Sequence, residues 1–149
     1  MRLQGAIFDG TELLMTPAGT LGPGAPEFLS VMKMEGVWMY LVSEGDRRQA
    51  EETLRAGGLE TYFRGAVSAG EFGMERSAPE LYEKALRRLR EPKPAVVVFT
   101  QRMDTLRRVR EAGFRAVLVS GILTPEERRE ALGLAEDCLQ SLTELTGRV

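Results

Sequence analysis

Close to its N-terminus the chain reads Ala6-Ile7-Phe8-Asp9-Gly10-Thr11, a short apolar run that ends in an acid, a glycine and a hydroxyl residue. A run of this length with glycine at its end is typical of a strand buried in a parallel sheet. Ligand crevices of such sheets lie beyond the carboxyl ends of the strands. Asp9, Gly10 and Thr11 are therefore the first candidates for a functional site.

Further apolar runs alternate with segments of helical periodicity along the rest of the chain. The predicted strands are Leu3–Phe8, Val37–Val42, Ala66–Ser68, Ala95–Phe99 and Ala116–Val119. The predicted helices are Pro26–Met34, Asp46–Ala56, Pro79–Arg90, Met103–Ala112 and one that begins at Thr124. This alternation predicts a three-layer α/β/α, Rossmann-like, mostly parallel sheet. We expect one domain over residues 1–149, with the Trp38-Met39-Tyr40 segment in its core.

Composition excludes several kinds of chemistry. The 149 residues include no histidine and a single cysteine, Cys138, so histidine-based mechanisms and internal disulfides are excluded. A net charge of −2 gives no bias toward nucleic acid or a membrane, and the dispersed arginines are expected to form solvated faces. Without a leader or a long apolar run, the sequence predicts a cytoplasmic protein.

Four segments at or near the predicted strand ends share a pattern when taken in order. They are Asp9-Gly10-Thr11 with Leu13-Leu14, then Leu41-Val42-Ser43, then Ser68 to Tyr82 with Arg76-Ser77-Ala78-Pro79, and finally Val96 to Phe99 with Ala112-Gly113-Phe114. Together they resemble the motifs of haloacid dehalogenase-like hydrolases. The resemblance implies that family's α/β fold. It also implies a form without a cap domain, since only residues 10–42 separate Asp9 from Ser43.

The resemblance implies a role for each matching residue. Asp9 takes the place of the nucleophile, Ser43 that of the hydroxyl that holds the transferred group, and Arg76 that of a lysine. Asp9, Ser43 and Arg76 are thus the catalytic candidates, and Gly10, Thr11, Ser43 and Arg76 the phosphate-binding ones. The second family aspartate is missing, because Thr11 occupies its position when the motif is aligned without a gap. Glu12 is the nearest further acid.

The metal site departs most from the family pattern. The acids that bind Mg²⁺ should fall at Thr100 and Gln101, and neither is a carboxylate. No metal ligand set is therefore predicted. Asp9 and Asp104 are the candidates if Mg²⁺ binds, with Asp104 one residue away from the position of a further family acid.

These departures predict a degenerate active site with little or no Mg²⁺-dependent phosphatase activity, no cofactor, and a binding or regulatory role. The alternative is an active hydrolase, metal-dependent or not, with Asp9 as the nucleophile. Arg76 either binds phosphate or forms an ion pair with Asp9, Glu71 or Asp104. The expected partner is a small anion, a protein, or a second copy of the chain over the open crevice, and not nucleic acid or membrane.

Overall fold

The computed structural model of the protein describes residues 3–146, with the side chains of residues 3–144. Its centre is a parallel sheet with the strand order β3-β2-β1-β4-β5-β6. The strands are β1 (Gly5–Asp9), β2 (Trp38–Ser43), β3 (Phe63–Ser68), β4 (Val96–Thr100), β5 (Arg115–Val119) and β6 (Asp137–Leu139). The order changes direction between β1 and β4, which places the ligand crevice expected for this topology there.

Helices cover both faces of the sheet. They are α1 (Ala25–Met34), α2 (Arg47–Ala56), α3 (Ala69–Phe72), α4 (Pro79–Leu89), α5 (Met103–Glu111), α6 (Pro125–Leu134) and α7 (Thr143–Thr146). On one face, α1 and α2 pack over Phe8, Phe63 and Phe99, whose rings contact one another. On the other, α4, α5 and α6 pack over Ile7 and Val98. The central strands are thus covered on both faces, as their continuous apolar runs require.

The predicted fold is confirmed, including all five predicted strands and the predicted helix starts. The helix that follows Thr124 begins with a capping box between Thr124 and Glu127. The sequence analysis missed β6 and the short helices α3 and α7. The one-domain prediction over residues 1–149 includes five residues at the two ends that lie outside the described part.

One core prediction was wrong. Met39 and Tyr40 are buried, but Trp38 is 40% exposed. Trp38 pairs with Gly5 of β1 on one side, whereas the pairing of β2 with β3 begins only at Met39 and Phe63. Trp38 therefore extends past the start of β3 at the amino edge of the sheet.

No helix among residues 3–146 is long and apolar enough to cross a bilayer.

Candidate active site at the carboxyl ends of the strands

Asp9 and Thr100 end the two central strands and meet at the point where the strand order changes. The Thr100 hydroxyl donates to Asp9 Oδ2 at 2.7 Å, and both residues are buried. The same hydroxyl accepts the backbone N–H of Arg102 at 3.0 Å. Thr100 therefore fixes one oxygen of the carboxylate and the start of the loop that follows β4.

Arg76 supplies the positive charge beside Asp9. Its Nε lies 2.8 Å from Asp9 Oδ1, and its side chain is only 12% exposed. The two atoms do not meet hydrogen-bond geometry, so the contact is a charge pair. Arg76 also lies 3.0 Å from Glu12 and 3.9 Å from Glu44. Burial lowers the pKa of Arg76, but these three carboxylates raise it more, so the pKa stands above its ordinary value.

Glu12 reaches the site because Gly10 leaves room for it. Gly10 has φ +81°, and a Cβ built there would lie 1.9 Å from Glu12 Oε2 and 3.1 Å from Arg76 Nη1. The backbone N–H of Gly10 donates to the carbonyl of Val42 at 2.8 Å, which ties the turn to β2. A side chain at position 10 would displace the Glu12 carboxylate, so the ion pair between Glu12 and Arg76 depends on the glycine.

The loop after β4 holds its own ion pair. Arg102 donates to both oxygens of Asp104, at 3.2 and 2.9 Å, and Asp104 also accepts the backbone N–H of Thr105 at 2.9 Å. Arg102 lies 3.5 Å from Glu44 as well. These side chains border an open crevice of about 480 Å³ above Arg76. Asp104 is thus directed at Arg102.

Two buried hydroxyls lie behind the carboxylate. The Tyr82 hydroxyl interacts with the side chains of Asp9 and Thr105. Neither the Tyr82 nor the Thr105 hydroxyl has a partner at strict hydrogen-bond geometry. Burial raises the pKa of Tyr82 well above its ordinary value, and the charge of Asp9 raises it further. Tyr82 is therefore a neutral phenol that faces Asp9 from the core side.

Comparison with known proteins identifies the family. A sequence profile described as haloacid dehalogenase-like hydrolase matches residues 10–99, more than half of the chain. The chain belongs to the haloacid dehalogenase-like hydrolase family. The resemblance that the strand-end motifs indicated is thereby confirmed.

Individual relatives of this haloacid dehalogenase-like chain agree with that membership. Over 107 residues the chain is 29% identical to a glyceraldehyde 3-phosphate phosphatase of Methanothermobacter thermautotrophicus, covering 71% of this chain and 47% of the relative. A solved structure of a proposed β-phosphoglucomutase from Thermotoga maritima has a TM-score of 0.70 at 26% identity, covering 87% of this chain and 62% of that one. The chain thus spans about half to three-fifths of the length of these relatives.

A third structure extends the comparison of fold. YfnB, a proposed hydrolase of Bacillus subtilis bound to magnesium, has a TM-score of 0.70 at 16% identity, with 87% of this chain and 56% of that one covered. At this identity the likeness concerns the fold alone. Magnesium is typical of the family's enzymes, which makes the ligand set of this chain the next question.

The residues present do not fit a Mg²⁺ ion. Asp9 uses one oxygen to accept from Thr100 and sets the other against Arg76 at 2.8 Å. Asp104 is paired with Arg102, and Gln101 is exposed. No group of three or more acids, histidines or cysteines that could hold a metal occurs among the residues that the structure describes. A hard cation prefers several oxygen ligands, and here a guanidinium stands against the central one.

The structure brings together some of the predicted site residues. Asp9, Arg76 and Gly10 meet, and the predicted Asp9–Arg76 ion pair is present, whereas Glu71 and Asp104 are not its partners. Ser43 borders the site, but its hydroxyl donates to the carbonyl of Glu44 at 2.9 Å. Thr11 is half-buried, and its carbonyl accepts the backbone N–H groups of Leu14 and Met15, so it forms part of a turn.

Sequence reasoning missed Thr100 as a donor and left the direction of Glu12 open. The sequence offered a signal for each residue. Thr100 stands at a strand end, where the family has an acid, and Glu12 stands two residues after Gly10, which leaves space beside it. The catalytic roles of Asp9, Ser43 and Arg76 and the phosphate-binding roles of Gly10 and Thr11 stay predictions.

Proposed function

We propose that this chain is a haloacid dehalogenase-like protein with a degenerate active site, which lacks Mg²⁺-dependent phosphatase activity and has a binding or regulatory role. The observation that supports the proposal is how the two carboxylate oxygens of Asp9 are bound. Both of its oxygens are engaged inside the protein, one by Thr100 at 2.7 Å and one by Arg76 at 2.8 Å.

The engagement of Asp9 works against nucleophilic attack. A carboxylate that attacks phosphorus needs one oxygen free to approach within about 3–3.5 Å along the line of the leaving group. The Asp9 side chain has no exposed surface, and Arg76 lies between its Oδ1 and the crevice. The guanidinium also stabilises the negative charge that attack would consume. Substrate would have to displace an ion pair with low exposure before chemistry began.

The site also lacks a good general acid and a net positive charge, which the phosphatase reaction needs besides the nucleophile. Thr11, at the position of the second family aspartate, carries a hydroxyl that is too weak an acid to protonate a leaving alkoxide. The carboxylates around the crevice, Glu44, Glu75 and Asp104, outnumber its two arginines, Arg76 and Arg102. A phosphate ester therefore meets little net positive charge there. Phosphoryl transfer depends on charge neutralisation and positioning, and the site offers neither freely.

The alternative function is an active hydrolase with Asp9 as its nucleophile. The specific observation in its favour is the 29% identity to a glyceraldehyde 3-phosphate phosphatase. A phosphate group that drew Arg76 toward itself would release Asp9 Oδ1, so substrate binding would create the nucleophile. Glyceraldehyde 3-phosphate is for this reason one of the two test substrates.

The test is a turnover assay with a matched inactive variant. The purified chain is incubated with Mg²⁺ and either p-nitrophenyl phosphate or glyceraldehyde 3-phosphate, beside Asp9→Asn. We expect both proteins to release phosphate at the rate of buffer alone, and Mg²⁺ to leave the melting temperature unchanged. Mg²⁺-dependent release that disappears in Asp9→Asn, while the circular dichroism spectrum is retained, would overturn the proposal and establish the alternative.

A further inference from the structure

A second cavity lies at the amino edge of the sheet, on the side opposite to Asp9. Its volume is about 680 Å³. The residues that line it come from β2, from the start of β3 and from the end of α4 and the turn after it: Tyr40, Arg64, Arg87, Arg88, Arg90 and Glu91. Among the described residues, four guanidinium groups thus face this cavity with one carboxylate.

These four arginines, the basic cluster, lack the ion pairs that other arginines make. Arg76, Arg107 and Arg115 hold carboxylates at 2.8, 2.6 and 2.5 Å. Within residues 3–144, no member of the basic cluster has a carboxylate oxygen within 4.0 Å. Their positive charge is therefore uncompensated at close range. Like charges held together repel, so the arrangement favours an anion that bridges them.

Two members of the basic cluster are held in place by neutral groups. Arg64 donates to the carbonyl of Leu89 at the end of α4, and its guanidinium lies 4.9 Å from the centre of the Trp38 ring. Arg88 Nη1 lies 3.3 Å from the hydroxyl of Tyr40, which is buried. Carbonyls, a phenol and an aromatic face orient a guanidinium without cancelling its charge. The planar donors are thus set before a ligand arrives.

Arg90 has a backbone conformation that favours glycine. It is the one non-glycine residue with positive φ in the described part of the chain, at φ 60°. In a left-handed conformation the Cβ of a residue lies too close to a backbone carbonyl oxygen, and only glycine avoids this. An arginine at the position after α4 is therefore disfavoured by local geometry. Its charge faces the cavity from there.

We propose that the basic cluster is a binding site for a diphosphate or triphosphate group. Arginine forks match phosphate oxygens in pairs, and several phosphates in a row can engage guanidinium groups from β3 and from the end of α4 together. A single carboxylate or orthophosphate offers fewer oxygens to four guanidinium groups than a chain of phosphates does. The group can belong to an inorganic polyphosphate or to a nucleotide, and for a nucleotide the 40% exposed Trp38 beside Arg64 offers a ring on which a base can stack.

The experiment uses the fluorescence of Trp38, the only tryptophan of the chain. Inorganic triphosphate, ATP and orthophosphate are titrated at low ionic strength, and the Trp38 emission is followed. We expect triphosphate to change the emission with saturation, since it binds the Arg64 guanidinium that lies over the ring. Orthophosphate should bind at least about tenfold more weakly. A ligand in the crevice at Asp9 would leave Trp38 unaffected, so the two sites are distinguished.

The matched variants each remove two positive charges. Arg87→Gln/Arg90→Gln should weaken triphosphate binding about tenfold or more, because two exposed charge-assisted contacts are lost. Arg128→Gln/Arg129→Gln on α6 should leave it unchanged. The proposal is overturned if both variants weaken binding equally, if orthophosphate binds as tightly as triphosphate, or if neither triphosphate nor ATP gives a saturable change. Equal affinity for ATP and triphosphate indicates the inorganic source, and tighter binding of ATP indicates the nucleotide.

Discussion

Arginines at the two edges of the sheet have opposite surroundings. At the carboxyl edge, Arg76 lies against Asp9, Glu12 and Glu44 and is almost covered. At the amino edge, Arg64 and Arg88 contact carbonyls, a phenol and an indole and have no acid beside them. The charge of Arg76 at the first edge is compensated by carboxylates, while the charges at the second edge have no carboxylate at close range. The net charge of −2 for the whole chain does not reveal this difference between the two edges.

The difference concerns stability as well as binding. A charge that is covered must be paired, because an unpaired one loses its hydration without compensation. A charge that is exposed keeps its hydration and contributes little to the free energy of unfolding. Substitutions at the carboxyl edge should therefore lower the free energy of unfolding more than substitutions at the amino edge. The following three variants test that contrast.

The largest effect is expected at Arg76. Arg76→Met removes the cation beside the buried Asp9, and we expect the free energy of unfolding to fall by about 3–5 kcal/mol. Urea denaturation measures the loss. Arg107→Met serves as the control, since it breaks the exposed pair with Glu130 and should cost much less. Equal losses in the two variants would contradict the view that Asp9 depends on Arg76.

A smaller effect is expected at Thr100. Thr100→Val keeps the shape but takes the hydroxyl donor away from Asp9, and leaving a buried acceptor unpaired costs about 1–3 kcal/mol. Ser68→Ala is the control, because the Ser68 hydroxyl is buried without a hydrogen-bond partner and its loss should cost little. The pair is compared by thermal and urea unfolding. A loss in Ser68→Ala as large as that in Thr100→Val would disprove the special role of the Thr100 hydroxyl.

The smallest effect is expected at the amino edge and has the opposite sign. Arg90→Gly removes the cost of the left-handed backbone after α4, so the free energy of unfolding should rise by about 1 kcal/mol. Arg90→Gln removes the charge but keeps the backbone cost, and should leave stability unchanged. If both variants stabilise equally, repulsion within the basic cluster and not backbone geometry is the cause.

The sequence predicted the fold because its signals are local. Each central strand is a continuous apolar run. Most helices end at a glycine or begin with a capping residue, and α4 begins with Pro79. The three residues of β6 lack such a signal, since Asp137 and Cys138 are only half-buried. They form a strand because β5 offers them a partner, with Val117 opposite Asp137.

The site was predictable only in part, because its contacts join distant segments. The family motifs included Asp9 at the end of β1 and Arg76 in the loop before α4, and these two side chains meet. No sequence pattern specifies that Glu12 folds back over Gly10 toward Arg76, or that Thr100 donates to Asp9. The basic cluster was interpreted as solvated helix surface, since Arg64 lies far from Arg87, Arg88 and Arg90 in the sequence. Only the packing of α4 beside β3 brings those charges together.

Helix α4 connects the two edges that differ so strongly. Arg76 and Ser77 precede its first turn, Arg87 and Arg88 form its last, and its inner face is anchored by side chains without exposed surface, including Leu81 and Leu89. Its 11 residues span about 16 Å at the rise of an α-helix. The helix thus acts as a rigid spacer. Occupants of the two ends cannot touch, so one molecule of protein has room for both at the same time.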